Sequence, residues 1–446
     1  MQSLAYKYNT RIILLGILFY VIFIVTFSNS YSPVTLLGSA TFLSYLSFIT
    51  FFSTKDDSYF TKPLLASFVF FYSLVIVTLF MLLSYYYEGN TFLFSNVDSR
   101  LYEQYSFRMK DMPFGESISY IANYFKFDDW GAFVMMSSLL RIIPDKLFIN
   151  FCFLIFATIS AVKMYSIGIR FMPKKFAFLA AFSFSTASYF LYFCGTLAKE
   201  PFFILLIILS FDYFYKFIEQ KKQAHLYIFI FYLILLFFFR PVVALFIGVG
   251  VGSYYVFKRS SVFMKVFFVI ASLIFLNYTS DIFLEAYDSY TMGGEFSQLM
   301  EYRAESYSHS YSTSFNFVVN IFSCLFGPFP TFLWSGGADT PRTALYAPSV
   351  FYKFCITVFF WLAAFYAFKH KKIILYPMIV FVVVEMISLI IVQAGFELRK
   401  ALPHYPAFYL VSFWLLSQSQ NVRSLNKYAR YWLFVVILVV IFWNMR

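Results

Sequence analysis

Residues 63–86 read PLLASFVFFYSLVIVTLFMLLSYY, a run of 24 residues without a charged side chain. A helix needs about 20 mainly apolar residues to cross the hydrocarbon core of a bilayer, so this stretch predicts a membrane-spanning helix. Comparable runs lie near 11–28, 34–53, 147–168, 175–194, 200–217, 225–240, 241–257, 262–278, 350–368, 373–394, 405–418 and 430–445. The sequence therefore predicts an all-α, polytopic integral membrane protein with about thirteen transmembrane helices in one transmembrane domain, 1–446.

The composition excludes several classes of protein. The chain has 446 residues, of which 61% are hydrophobic and only 13% charged, too few polar side chains to cover a water-soluble globule. Its four cysteines have no metal-ligand spacing, and it contains no glycine-rich phosphate loop, so we expect no metal, no cofactor and no ATP-driven step. The net charge of +12 is assigned to membrane topology rather than to nucleic-acid binding.

Basic residues concentrate in alternate short gaps between the apolar runs. The basic residues of these gaps are Lys7, Arg11, Lys55, Lys62, Arg170, Lys174, Lys175, Lys216, Lys221, Lys222, Lys258, Arg259, Lys265, Lys369, Lys371, Lys372, Arg423, Lys427 and Arg430. Short cytoplasmic loops are rich in Lys and Arg, so the pattern predicts a cytoplasmic amino terminus. The long segments 87–146 and 279–349 then become two outer loops that hold most of the acids.

The segment 314–335 does not fit this count. It is apolar enough to cross a membrane, but Gly327, Pro328 and Pro330 interrupt it, and a crossing here would invert every later loop. Irregular backbone at membrane depth needs shielding by protein or by a watery cavity. We therefore predict a re-entrant or interfacial segment within the second outer loop.

Two of four polar motifs at the predicted outer face lie in the first half of the chain. Asp98 and Arg100 open the first long loop, where the acid could act as a base and the arginine could hold an anion; a solvated turn is the alternative. Lys199, Glu200 and Pro201 stand where one helix ends and the next begins. The dipole of that helix start and the lysine favour a phosphate, and the alternative is a Lys–Glu pair that closes a hairpin.

The other two motifs lie at later helix junctions. Arg240 stands between two apolar runs, where a charge is costly unless it is used or reaches the interface as an anchor. Arg399, Lys400 and His404 lie among prolines before the run 405–418, a pattern suited to diphosphate binding or proton transfer; a plain juxtamembrane charge cluster is the alternative. Weaker outer-loop candidates are Arg303 and Arg342.

Two acids fall inside predicted spans. Glu385 and Asp212 have no obvious partner in sequence, and each is either a proton-relay group or, as the commoner case, a protonated carboxyl that hydrogen-bonds between helices.

Taken together, the many spans, the two long outer loops and these motifs resemble a bacterial polysaccharide repeat-unit polymerase of the Wzy type, the group of O-antigen and capsule polymerases. The resemblance implies an inverting glycosyl transfer at the periplasmic face of the bacterial inner membrane, between oligosaccharide units carried on undecaprenyl diphosphate. From their position and chemistry, we expect Arg240 and Arg399 to bind the diphosphate with support from Lys199, and Asp98 or His404 to act as base. A chain-length regulator is a further implied partner.

Two other classes stay open. A polyprenyl-phosphate-dependent multi-span glycosyltransferase carries an acid just after its first span, whereas 29–33 contain none. A lipid-linked oligosaccharide flippase would have charges along the middle of several spans and short loops on both sides.

Overall fold

The computed structural model describes residues 48–49, 52, 57, 60–90, 97–125, 127–258, 313–327, 329–330, 340–391, 398–418 and 425–444. The described chain is helical and contains no strand. Its helices are α1 Lys62–Glu88, α2 Val97–Met109, α3 Phe114–Ala122, α4 Trp130–Ile142, α5 Lys146–Gly168, α6 Lys174–Ser185, α7 Ser188–Gly195, α8 Glu200–Gln220, α9 Gln223–Phe237, α10 Pro241–Lys258, α11 Thr313–Phe326, α12 Thr340–Lys369, α13 Tyr376–Ile391, α14 Leu398–Ala401, α15 Tyr405–Ser417 and α16 Leu425–Asn444.

Six of these helices are long and apolar enough to cross a membrane: α1, α5, α8, α10, α12, and α13 together with the short turn before it. A seventh is the pair α6 and α7, bent by 49° at residues 186–187. The bend leaves the Ser188 N–H without a carbonyl acceptor in its own helix. It donates instead to the Ser349 hydroxyl oxygen of α12, at 2.7 Å. Large apolar side chains such as Phe71 and Phe231 are exposed, as expected of a surface that faces lipid.

The predicted spans meet this structure in three ways. The spans near 63–86, 147–168, 175–194, 200–217, 241–257, 350–368 and 373–394 coincide with the helices just named. The spans near 225–240 and 405–418 are helices of only 15 and 13 residues, and 430–445 lies in α16. The spans near 11–28 and 262–278, and nearly all of 34–53, lie outside the described residues.

The helices pack so that the basic loops share one end of the bundle. The Tyr165 hydroxyl at the end of α5 donates to the Phe60 carbonyl before α1 at 2.7 Å. The Tyr215 hydroxyl near the end of α8 donates to the Ile374 carbonyl before α13 at 2.9 Å. Basic loops that are distant in sequence are therefore in contact with one another at this end of the bundle. The polar motifs lie at the opposite end.

Helix α11 ends against the middle of α12. The carbonyls of its last turn accept hydrogen bonds from α12 side chains spaced four residues apart: Lys353 donates to Gly327, Thr357 to Phe326 at 3.1 Å, and Trp361 to Leu325 at 3.0 Å. The last carbonyls of a helix lack hydrogen-bond donors within the helix, and these three side chains provide the donors. A helix can end inside a bundle when it is capped in this way, and the re-entrant interpretation of 314–335 stays a prediction compatible with this geometry.

Candidate functional site

A cluster of charged side chains joins five parts of the chain at the end of the bundle opposite the basic loops. We call it the outer cluster; its charged members are Asp98, Asp129, Lys199, Glu200, Arg240 and Arg399. They come from α2, the 3-10 turn Phe127–Asp129, the α7–α8 junction, the α9–α10 junction and α14. Each motif predicted at the outer face contributes at least one residue.

Backbone contact brings the first outer loop onto the α9–α10 junction. The Gly131 N–H, in the first turn of α4, donates to the Phe238 carbonyl at 2.8 Å. A Cβ at residue 131 would lie 2.5 Å from the Phe239 ring and 2.7 Å from that carbonyl, so no larger side chain fits. Glycine at this position allows the close approach that places Asp129 beside Lys199.

Lys199 forms the centre of one ionic group. Its ammonium, only 5% exposed, donates to Asp129 and to the Phe239 carbonyl at 2.9 Å, and the Tyr102 hydroxyl donates to the same Asp129 oxygen at 3.1 Å. Burial lowers the pKa of Lys199, against the attraction of Asp129. Burial acts to raise the pKa of Asp129, but Lys199 and the two hydrogen bonds outweigh it and hold this pKa below its usual value.

Arg399 links three helices. Its guanidinium bonds through Nε to Glu200, the first residue of α8, and through a terminal nitrogen to Asp98 of α2. Burial acts to lower the pKa of Arg399, but Glu200, Tyr102 and Asp98 raise it well above its usual value. The second carboxylate oxygen of Glu200 is buried and has no hydrogen-bond partner in the described part of the chain. Arg399 is therefore a fixed cation that is already paired with two carboxylates.

Arg240 differs from the other two cations of the outer cluster. Its half-buried guanidinium lies over the Phe203 ring, 5.5 Å from the centroid, and forms no ion pair or hydrogen bond with any described residue. It is close enough to Lys199 and to Glu385 for the charges to interact. Within the outer cluster, Arg240 is thus the cation that also approaches a deeper set of polar groups, and its guanidinium has no hydrogen-bond acceptor among the described residues.

The deeper set consists of Lys353, Glu385, His404 and Tyr405, which we call the buried polar layer. The His404 Nδ1 is 3.8 Å from a Glu385 oxygen, and both side chains are almost completely buried. That oxygen, both ring nitrogens of His404 and the Tyr405 hydroxyl have no hydrogen-bond partner among the described residues. Buried polar groups of this kind are usually hydrogen-bonded, so these atoms are candidates to contact a bound ligand.

The remaining predicted site residues lie at the margin of the cluster or beyond the described side chains. Arg100 is exposed on α2, and Lys400 is half-buried on α14. Arg342 is in the first turn of α12, with its side chain outside the description, and Arg303 lies outside the described residues. Groups of three or more His, Cys, Asp or Glu that could hold a metal ion do not occur in the described part.

Asp212 has partners that its sequence context did not suggest. It is buried at the basic end of the bundle and pairs with Lys216 at 2.8 Å, Arg170 at 3.0 Å and Lys163 at 3.3 Å. Arg170 also bonds to Glu219. The interpretation of Asp212 as an isolated acid without a partner is therefore wrong, because three basic side chains contact its carboxylate.

Sequence reasoning did not single out Asp129, Lys353 or Tyr405. Asp129 lies within the first long loop without a motif around it, and its partner Lys199 is 70 positions away. A usable signal existed for Lys353, since it is the one charged residue in the stretch 343–368 of an otherwise apolar helix.

The fold and the cluster define a helical membrane protein with a polar site at one end of its bundle. No protein-family model matches the chain, and neither the curated proteins nor the solved structures provide a significant match. The functional assignment therefore depends on the site itself.

Proposed function

We propose that this protein is a membrane glycosyltransferase that polymerises undecaprenyl-diphosphate-linked oligosaccharide repeat units into O-antigen or capsular polysaccharide. The observation that carries the proposal is Arg240, a half-buried guanidinium without an ion pair in the described chain, close enough to Lys199 for the two charges to interact. A guanidinium with free donors suits a planar or bidentate oxyanion, and a diphosphate supplies one.

The reaction requires charge stabilisation more than acid catalysis. The bond from the anomeric carbon to the diphosphate oxygen breaks, a new bond forms to the acceptor hydroxyl oxygen, and the leaving diphosphate retains the electron pair. Arg240 would stabilise that developing charge directly. Lys199 and Arg399, whose charges are balanced by Asp129, Glu200 and Asp98, would contribute as fixed cations.

Two side chains are candidates to accept the proton of the acceptor hydroxyl. Asp98 is half-exposed but bound to Arg399, so it acts as a base only when a phosphate oxygen takes its place on the guanidinium. His404 has both ring nitrogens unpartnered among the described residues, and Glu385 lies beside it. Both assignments stay open, and a pH–rate profile of variants at each position distinguishes them.

The proposal also sets the protein in its membrane. About thirteen spans, a cytoplasmic basic end and a periplasmic outer cluster would place the site on the side of the bacterial inner membrane where lipid-linked units are joined. The lipid bilayer, the lipid-linked oligosaccharide and a chain-length regulator are the expected partners. The shared location of the basic loops and the opposite location of the outer cluster support this orientation.

Gene deletion and complementation test the proposal. The deletion strain should display surface polysaccharide reduced to a single repeat unit, and the wild-type gene should restore long chains. Arg240→Ala should fail to restore them at normal membrane abundance, while Arg240→Lys should restore them in part, because a lysine cannot bind bidentately. The matched control is Arg108→Ala, which removes an exposed arginine of α2 and should restore full length. Full-length chains from Arg240→Ala would remove the diphosphate assignment.

A flippase is the second candidate, and the buried polar layer is the observation that favours it. Lys353 and Glu385 lie within membrane-spanning helices, as charges along a translocation path would. The same deletion strain separates the two functions. Loss of even the single repeat unit would indicate a step before polymerisation and would contradict the polymerase proposal.

A further inference from the structure

Lys353 is a buried cation in a membrane-spanning helix. It lies eight residues after Leu345, where the apolar part of α12 begins, which corresponds to a depth of about 12 Å at 1.5 Å per residue. Only 1% of the residue is exposed. A lysine at such a position is costly unless its charge is matched.

The described surroundings of Lys353 do not match that charge. The ammonium donates to the Gly327 carbonyl at the end of α11, and it lies 4.6 Å from the Tyr405 ring centroid and 4.9 Å from that of Phe408. No described acid forms an ion pair with it. An ammonium has three donors, and one carbonyl uses only one of them. The aromatic faces attract the cation but do not neutralise it.

Polar atoms without partners lie on the same side of the bundle. The Tyr405 hydroxyl belongs to the ring that Lys353 covers, and His404, its neighbour in sequence, is close enough to Lys353 for their charges to interact. Glu385 follows beyond His404, and Arg240 beyond Glu385. Among the described residues, two basic side chains therefore flank a single carboxyl and a set of polar atoms without hydrogen-bond partners.

The chemistry of these groups favours an oxyanion as their ligand. A phosphate oxygen would accept from the ammonium, from the Tyr405 hydroxyl and from an imidazole N–H, and it would supply the negative charge that the buried cation lacks. A neutral sugar would satisfy the hydrogen bonds but would leave the charge of Lys353 unmatched.

We propose that Lys353 is a second cationic ligand for the diphosphate of the lipid-linked substrate, located deeper in the bundle than Arg240. The inference rests on the proposed function for the identity of the lipid and adds a residue that no sequence motif indicated. Arg240 then contacts the diphosphate from the outer cluster, and Lys353 contacts it from the buried polar layer.

The rival role for Lys353 is a purely structural cap for α11, and one pair of variants separates the two. Lys353→Gln retains a donor for the Gly327 carbonyl and removes the charge. Thr357→Val removes the neighbouring donor to the Phe326 carbonyl and leaves every charge in place. Both variants perturb the end of α11, but only the first affects an anion site.

The experiment measures binding of farnesyl diphosphate and of inorganic diphosphate to purified full-length protein in nanodiscs, by calorimetry and by the ligand-induced rise in melting temperature. We expect Lys353→Gln to bind farnesyl diphosphate roughly tenfold more weakly or worse, because a hydrogen bond to a charged group is lost. Thr357→Val should bind it as the wild type does, even if its melting temperature without ligand is lower. Lysine-dependent binding of inorganic diphosphate as well would support the same oxyanion site without the lipid tail.

Each failure has a separate meaning. Wild-type affinity in Lys353→Gln would overturn the role of Lys353 and would leave the proposed function intact. Equal loss of affinity in Thr357→Val would also overturn it, because the effect would then come from the end of α11. Absence of diphosphate binding by the wild-type protein itself would contradict the proposed function together with this inference.

Discussion

Replacing Arg399 by methionine should be the most destabilising single change in the outer cluster. The guanidinium is shared by two acids of different exposure: the Glu200 side chain is 1% exposed and the Asp98 side chain 50%. Removing one partner of a buried pair costs about 3–5 kcal/mol, because the other charge stays buried and unmatched. An exposed pair contributes about 0–1 kcal/mol. Arg399→Met should therefore lose about 3–5 kcal/mol, and Asp98→Asn less than about 1 kcal/mol.

A double-mutant cycle assigns this loss to Glu200. Glu200→Gln removes the buried charge, so in that background Arg399→Met no longer leaves an unmatched carboxylate. The double variant should lose less stability than the two single losses added together, and the difference is a coupling energy of about 1–3 kcal/mol. Thermal unfolding of the purified proteins in one detergent, followed by tryptophan fluorescence, compares the four species with Asp98→Asn.

Two results would refute this reasoning. One is an Arg399→Met variant no less stable than Asp98→Asn, which would mean that the contact with Glu200 contributes no more than an exposed pair. The other is additivity in the cycle, which would mean that Arg399 and Glu200 act independently.

Three further changes test other parts of the structure. Gly131→Ala should displace α4 from the α9–α10 junction and cost about 1–3 kcal/mol of stability by overpacking. Its control is Gly115→Ala, whose added Cβ meets nothing within 4 Å. That variant should be neutral or stabilising in the same melting assay. Asp129 has a lowered pKa in the folded protein, so its contribution to stability is complete above the unfolded pKa of about 4 and is lost as pH falls through the folded pKa. Asp129→Asn should therefore flatten the fall in melting temperature below about pH 4, and an unchanged fall would contradict the ion pair. Asp212→Asn removes a buried carboxylate that three cations share and should cost about 3–5 kcal/mol, against less than about 1 kcal/mol for Glu219→Gln at a 43% exposed side chain. Equal losses would contradict the network around Asp212.

The helical elements were largely predictable because bilayer length and apolar composition are local properties of the sequence. Seven predicted spans coincide with helices or a helix pair that can cross a membrane. The junction residues Lys199 and Arg240 were also predictable, since a charge between apolar runs marks the place where a helix begins. Helix lengths were less predictable. The runs 225–240 and 405–418 form helices that are too short to be counted as membrane spans by length alone.

The pairing within the outer cluster could not be predicted from local patterns. Lys199 and Glu200 are adjacent, and the sequence offered a mutual pair as the alternative to a phosphate site. In the structure they face different partners, Asp129 at a separation of 70 positions and Arg399 at 199, and Asp98 is 301 positions from Arg399. Such contacts depend on how the helices pack, and a single sequence contains no direct record of that packing.

The unequal exposure of its two acids determines how Arg399 can take part in binding. An incoming oxyanion can replace Asp98, because that carboxylate, once released, is solvated by water. It cannot replace Glu200, because a buried carboxylate without its cation would cost more than the new contact contributes. Under the proposed function, diphosphate binding therefore opens the contact between α2 and α14 and preserves the one between α8 and α14. The released Asp98 carboxylate then lies beside the bound diphosphate, where a base for the acceptor hydroxyl is required.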